Sequence, residues 1–213
     1  MNRKSLTGIF ILMIIILSFS SYGIMLWWEN KSGTLPVYDF QQSTNKGNIP
    51  FHINYFLLIN QDNIKSGTER WNDKIVVVNF FFTHCMGVCP KMTNNLKKVQ
   101  EAYHDDTSVI INSLTVDPAS DSTAQLKLYS ERFGIQSKNW QLLTGDKKEI
   151  YRLARNEFKI LATDGDGGPN DFIHSEKLVL VDKQKRIRGY YDGTDMTEVK
   201  QLIKDILKLK DEN

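Results

Sequence analysis

The sequence predicts an α/β domain, with a central mixed sheet flanked by helices, preceded by one N-terminal transmembrane helix. Three observations support this prediction. Residues 5–28 carry no charge. Apolar, β-rich runs follow further along the chain, and segments with helical spacing or helix-capping residues alternate with them. Of the 213 residues, 41% are hydrophobic and 24% are charged, a balance typical of a globular protein rather than a disordered one.

The uncharged segment has the length and composition of a membrane-spanning helix. About 20 apolar residues are needed to cross a bilayer, and residues 9–17 and 24–28 are apolar throughout. Arg3 and Lys4 precede the segment, which predicts a cytoplasmic N-terminus and a single-pass topology. A cleaved signal peptide is the alternative, because residues 18–23 contain small residues at cleavage-site spacing. Under either interpretation the remaining chain faces the periplasm or another exported compartment, where two cysteines can form a disulfide.

The chain is predicted to have three regions. Residues 1–28 form the anchor, residues 29–50 form a polar tether, and residues 51–213 form a single domain of ordinary size. The formal charge of +2 argues against nucleic-acid binding, because proteins of that class normally carry a strong basic excess. Two cysteines exclude a multi-disulfide scaffold and a four-thiolate zinc or iron–sulfur site.

Five runs rich in apolar and β-branched residues predict strands. The run Lys74–Phe82 is continuously apolar or aromatic apart from its first residue and Asn79, the pattern of a strand buried on both faces. Polar residues at 60–63 and 182–185 predict turns, and the second of these turns predicts a hairpin near the end of the domain. The predicted strands are residues 54–59, 74–82, 109–116, 177–181 and 186–191.

Four helices are predicted between and after these strands. The first begins near Pro90 and extends to about Tyr103, since Met92, Leu96 and Val99 recur at helical spacing. The other three begin after residues that suit a helix N-cap and have Gln or Glu three positions later. These N-caps are Ser122, Asp146 and Asp195, and their helices extend to about residues 133, 158 and 209. A thioredoxin-like α/β sandwich fits this order of elements best.

The clearest chemistry lies directly after the buried strand, in the sequence Cys85-Met86-Gly87-Val88-Cys89-Pro90. Functional residues gather at the carboxyl ends of strands in open α/β sheets. Two cysteines four positions apart on a helical turn face the same direction, which suits one metal ion or, with modest adjustment, a disulfide. Ordinary thioredoxin motifs have two intervening residues, so the three found here favour a metal. A purely structural disulfide is the alternative.

Two thiolates rarely complete a metal site, and the chain has four histidines. His174 lies in a glycine-rich loop before a predicted strand, where a thioredoxin-like fold brings the chain over the cysteine turn, and the spacing leaves its role as a ligand open. His84 adjoins the first cysteine but is expected to be a loop or packing residue, whereas His52 and His104 are expected to be solvated. Two thiolates and one imidazole form a soft donor set that favours copper. Asp117, at the same sheet edge, is either a group that orients a ligand or a turn residue.

Four motifs, taken together and in order, resemble those of the Sco/SenC family. Members of that family are membrane-anchored, thioredoxin-fold copper proteins that serve the assembly of cytochrome c oxidase. The resemblance covers about residues 53–193 and the N-terminal anchor. The motifs are Phe81-Phe82-Thr83-His84-Cys85-x-x-x-Cys89-Pro90, Thr115-Val116-Asp117-Pro118, Leu142-Leu143-Thr144-Gly145 and Asp171-Phe172-Ile173-His174-Ser175.

The resemblance implies that Cys85, Cys89 and His174 bind copper, both as Cu(I) and as Cu(II). It implies a copper metallochaperone in the cell's inner membrane that delivers copper to the cytochrome c oxidase subunit carrying the dinuclear copper site. Other copper carriers or thiol reductants are further implied partners. A membrane-anchored thiol–disulfide oxidoreductase that uses the same two cysteines is the alternative function, and a peroxidase or redox sensor is a weaker one.

Met86-Gly87 departs from the family pattern, in which proline and an acidic residue usually follow the first cysteine. A negative charge is therefore missing from this loop. The thioether sulfur of Met86 is an additional soft donor for a metal ion. The departure bears on copper affinity and redox poise rather than on the identity of the ligands.

Overall fold

The computed structural model describes residues 12–25, 33–38, 51–160 and 175–212. The chain divides into two compact units, Met1–Thr34 and Leu35–Asn213. In the first unit, residues 12–25 form a helix, α1, whose side chains are exposed. Across the described ranges, no helix is both long enough and apolar enough to cross a membrane. The rest of the predicted anchor and most of the predicted tether lie outside the described residues.

The described part of the second unit contains one seven-stranded mixed sheet. In chain order its strands are β1 (Leu57–Asn60), β2 (Lys65–Gly67), β3 (Ile75–Phe81), β4 (Val109–Thr115), β5 (Trp140–Thr144), β6 (Lys177–Val181) and β7 (Ile187–Asp192). Across the sheet the order is β2-β1-β5-β4-β3-β6-β7. The central strands β5, β4 and β3 run parallel, and the outer strands pair antiparallel. This arrangement confirms the predicted mixed sheet.

Helices cover both faces of the sheet. In the described part of this unit they are α2 (Val88–Ala102), α3 (Thr123–Phe133), α4 (Lys147–Arg152) and α5 (Met196–Asp211). Alternate residues of β3 divide between two apolar clusters. Ile75 and Val77 pack with side chains of α2, α3 and α5, whereas Val76 and Val78 pack with side chains of α4. β3 is therefore buried on both faces, as its sequence predicts, and each fully buried aliphatic side chain contributes about 1.5–3 kcal/mol.

The predicted helix ends are confirmed where a side chain or a glycine determines them. Ser122, Asp146 and Asp195 are N-caps whose side chains accept hydrogen bonds from backbone N–H groups in the first turn of α3, α4 and α5. Gly134 ends α3 with a φ of 64°, a left-handed conformation that favours glycine. α2 begins at Val88, slightly before the predicted start at Pro90.

Other elements differ from their prediction. Strand β1 begins at Leu57 instead of residue 54, and the predicted helix up to residue 158 is α4 followed by a π-helical turn at Leu153–Glu157. Strands β2 and β5 were not predicted. β2 consists of Lys-Ser-Gly, which includes no strong strand former, and the sequence of β5, Trp-Gln-Leu-Leu-Thr, lacks a run of β-branched residues.

The parallel pairing of β3 and β4 determines where the candidate site lies. Phe81 and Thr115, the last residues of these strands, are paired in the sheet. The loop after β3, which contains both cysteines, therefore emerges beside the loop after β4. This is the predicted carboxyl edge of the sheet.

Candidate metal centre

Cys85 and Cys89 are brought together by the start of α2. Cys89 is the second residue of that helix, and its backbone N–H donates a hydrogen bond to Sγ of Cys85, with an N···S distance of 3.3 Å. Both cysteines are free; Cys89 is buried and Cys85 is half-buried. The two thiols therefore lie together, as predicted, but Cys85 is in the loop that precedes α2 instead of on the same helical turn as Cys89.

The two thiols differ in acidity. Burial raises the pKa of Cys89 to about 12, and negative charge at Cys85 and Asp121 acts in the same direction. Burial also opposes ionisation of Cys85, but its sulfur accepts backbone hydrogen bonds from Cys89, Gly87 and Val88, which together lower its pKa. Cys85 is therefore the sulfur that ionises first.

A cavity of about 440 Å³ adjoins both cysteines. Its walls are mainly apolar, and two polar residues, Ser175 and Glu176, also line it. These are the first described residues after the segment that contains His174, which itself lies outside the described residues. The cavity is lined by Phe80, Phe81, Phe82, Cys85, Gly87, Val88, Cys89, Val116, Ser175 and Glu176.

A buried carboxylate, Asp121, joins the two loops at this edge, and the sequence analysis missed it. Its side chain has 0% exposure. It accepts a hydrogen bond from the backbone N–H of Thr83 at 3.1 Å and another from Oγ1 of Thr83 at 2.5 Å. It also accepts one from Oγ1 of Thr115. The sequence contains one indication of this residue, a second aspartate in the loop after β4. Only the parallel pairing of β3 and β4, however, brings both threonines to it.

Asp117, the residue that the sequence analysis singled out in that loop, forms a turn through its backbone. Its N–H donates to Oγ1 of Thr115 at 3.0 Å, and its carbonyl oxygen accepts the N–H of Asp121 at 2.9 Å. These contacts fit the predicted turn residue and place Asp121 beneath the cysteine loop.

The described histidines do not complete a site with the two sulfurs. His84 has a side chain that is 63% exposed and lies beside Asp121, with Nδ1 3.9 Å from Oδ1. His52 and His104 are also exposed, as predicted. Within the described ranges, no three His, Cys, Asp or Glu side chains are close enough together to hold a metal ion. Met86 is 96% exposed, at the tip of the loop.

The described part of this centre is thus a pair of thiols at a helix N-terminus, open to an apolar cavity. The pKa of Cys85 is lowered, whereas burial raises the pKa of Cys89. Such a pair can bind a soft metal ion once both sulfurs are ionised. It can also exchange with a disulfide, since the thiolate is the attacking form.

Comparison with known proteins gives a consistent result. The SCO1/SenC family model matches residues 46–211. The SCO1 protein homolog of Bacillus subtilis is 28% identical over 163 residues, which cover 76% of this chain and 84% of that protein.

Two solved structures are also similar. A SCO1/SenC family lipoprotein from Bacillus anthracis has 30% identity and a TM-score of 0.66, covering 75% of this chain and 95% of that one. BsSco, described as a member of the Sco family of cytochrome c oxidase assembly proteins in which a disulfide switch was identified, has 27% identity and a TM-score of 0.66. That match covers 76% of this chain and 95% of the other.

Proposed function

The chain belongs to the SCO1/SenC family, and on that premise we propose that it is a copper metallochaperone serving the dinuclear copper site of cytochrome c oxidase. Copper is its cargo. The observation that carries the proposal is the pair Cys85 and Cys89, joined by an N–H···S hydrogen bond at the start of α2 and open to a cavity. Two thiolates are the donors that Cu(I) prefers.

In this proposal the copper ligands are Cys85, Cys89 and His174. The case for His174 rests on its neighbour: Ser175 lines the same cavity as both cysteines, and consecutive Cα atoms are about 3.8 Å apart. An imidazole would extend a dithiolate set to Cu(II), which binds nitrogen ligands well. His84 lies beside Asp121 and Thr83, which makes it the weaker candidate.

The different acidities of the two thiols determine how copper enters. Cys85 provides the first thiolate because backbone hydrogen bonds favour its ionised form. Cys89 holds its proton in the metal-free protein, since burial raises its pKa to about 12. Binding of copper at both sulfurs therefore releases the Cys89 proton, and copper binding weakens as the pH falls.

The same difference in acidity between Cys85 and Cys89 favours a second candidate function, the reduction of a partner's disulfide. The Cys85 thiolate attacks the partner disulfide, forms a mixed disulfide and releases one partner thiolate. Cys89 then loses its proton and attacks the Cys85 sulfur, which closes the Cys85–Cys89 disulfide and releases the second partner thiol. Two electrons pass to the partner, and an external thiol reductant must restore the dithiol.

The proposed location is the inner membrane, with residues 1–28 as a single-pass anchor, a cytoplasmic N-terminus and the domain in the periplasm. The uncharged segment at residues 5–28 supports the anchor. The similarity to a family lipoprotein agrees with attachment to a membrane. The proposed partners are the oxidase subunit with the dinuclear copper site, copper carriers and thiol reductants.

The two functions are separated by measuring copper retention and disulfide reduction on the same variants of the full chain. We expect the reduced protein to retain copper, and we expect Cys85→Ser, Cys89→Ser and His174→Ala to lose it. His84→Ala is the matched control and should retain copper. Thiol exchange requires both cysteines but not an imidazole. A wild type that never retains copper but reduces disulfides, with His174→Ala equally active, would establish the oxidoreductase instead.

A further inference from the structure

We propose that Asp121 is a positioning residue that sets the geometry of the cysteine pair through the Phe82–Thr83 peptide. The inference rests on the proposed copper-binding function and extends it to a residue outside the ligand set. Asp121 has 0% exposure, and aspartate is almost never fully buried unless it is paired. Its polar partners on the two threonines are hydrogen-bond donors, which suits an ionised carboxylate.

The first step is the contact between Asp121 and the base of the cysteine loop. Thr83 lies two positions after the end of β3 and two positions before Cys85, and both its N–H and its hydroxyl donate to Asp121. The hydroxyl of Thr115, the last residue of β4, donates to the same carboxylate. Asp121 thus fixes the start of the cysteine loop to the neighbouring strand. Hydrogen bonds to a carboxylate are shorter and stronger than those between neutral groups.

The second step leads from that contact to the sulfurs. The N–H that Thr83 donates to Asp121 belongs to the same planar peptide as the carbonyl group of Phe82. That carbonyl oxygen accepts the N–H of Cys85 at 3.4 Å. The sulfur of Cys85 in turn accepts the N–H of Cys89 at 3.3 Å. The Asp121 carboxylate therefore holds the peptide to which Cys85 is bonded, and Cys89 is connected to it through the N–H···S contact.

The third step concerns metal affinity. A carboxylate that holds the base of the cysteine loop keeps the two sulfurs in position before a metal ion arrives. Outer groups that hold ligands in place typically contribute 10–100-fold to metal affinity.

The test compares Asp121→Asn with Asp205→Asn in the full chain. Asp205 is the matched control, because it is 5% exposed and accepts a hydrogen bond from Tyr191 on a different part of the domain. Each variant is titrated with Cu(I) against a competing chelator, and the thiolate-to-Cu(II) charge-transfer absorption is recorded. We expect Asp121→Asn to weaken Cu(I) binding by about 10–100-fold and to shift the absorption band. Asp205→Asn should leave both unchanged.

A wild-type affinity and spectrum in Asp121→Asn would overturn the inference, as would an equal loss in Asp205→Asn. If Asp121→Asn does not fold, Thr83→Val and Thr83→Ser replace it. The valine variant loses the hydroxyl that donates at 2.5 Å and should bind copper more weakly, whereas the serine variant keeps that hydroxyl and should bind normally. Equal copper affinity in these two variants would refute the inference.

A further readout does not depend on copper. In the metal-free protein, amide hydrogen exchange at Thr83 and Cys85 should accelerate by about tenfold or more in Asp121→Asn and stay unchanged in Asp205→Asn. If the wild type binds no copper, the proposed function fails. The exchange rates then decide separately whether Asp121 positions the cysteine loop, and unchanged rates would contradict that role.

Discussion

At the scale of single residues, the two cysteines differ in acidity although a hydrogen bond joins them at the start of α2. Cys89 is buried and holds its proton, whereas Cys85 is half-buried and accepts several backbone N–H groups at the start of α2. A helix N-terminus presents unpaired N–H groups, so a sulfur placed there is stabilised as a thiolate. Both candidate functions depend on this difference between the pKa values of the two thiols.

We predict that Cys85 accounts for the thiol reactivity of the metal-free protein near neutral pH. Its pKa lies below the ordinary value of 9.0, so its alkylation rate should rise with pH around a midpoint below 9.0. Cys89 should resist alkylation until the pH approaches about 12. Alkylation by iodoacetamide followed by peptide mass spectrometry on Cys85→Ser and Cys89→Ser measures each thiol alone. Faster alkylation of Cys89 at neutral pH would contradict the assignment.

The residues of the site were predictable from the sequence to different degrees. Cys85 and Cys89 share one short motif after a buried strand, so spacing alone places them together. Asp121 was not predictable in this way, because its partners are Thr115, the last residue of β4, and Thr83 in the loop after β3. Only the parallel pairing of β3 and β4 brings these two residues side by side. Contacts of this kind depend on topology rather than on local pattern.

At the scale of elements, local signals determined most boundaries. The N-caps Ser122, Asp146 and Asp195 act within their own first turns, so sequence patterns found them. Strand β5 was missed because Gln141 and Thr144 leave it without a continuous apolar run, and its place between β1 and β4 comes from tertiary pairing.

Arg188 on β7 connects elements that are distant in sequence. Its guanidinium is 4% exposed and pairs with Asp182 at 3.1 Å and Glu212 at 2.5 Å. It also donates to the carbonyl oxygens of Leu35 and Pro36. Part of the predicted tether is thereby attached to the domain, beside the C-terminal end of α5.

We predict that Arg188→Met lowers the free energy of unfolding by about 3 kcal/mol, because removing one member of a buried ion pair leaves the other charge uncompensated. Urea denaturation of the full chain in detergent measures the loss. Arg70→Met, at an exposed position, is the control and should change the value by less than about 0.5 kcal/mol. Equal denaturation midpoints for the two variants would contradict this account of Arg188.

At the scale of the whole molecule, the fold places the dithiol, the buried carboxylate and the cavity at one edge of a seven-stranded sheet. Four motifs spread along the chain were sufficient to predict the family, and three of them contain the carboxyl ends of β3, β4 and β5. The sequence did not predict the walls of the cavity, which come from both loops and from the residues before β6.

The central claim is that two sulfurs and one imidazole of this chain hold a copper ion. X-ray absorption spectroscopy of the reduced full chain loaded with one equivalent of Cu(I) tests it most directly. The account predicts a first shell of two sulfur atoms and one nitrogen atom, with the nitrogen lost in His174→Ala and kept in His84→Ala. A first shell without sulfur, or a nitrogen that disappears only in His84→Ala, would contradict it.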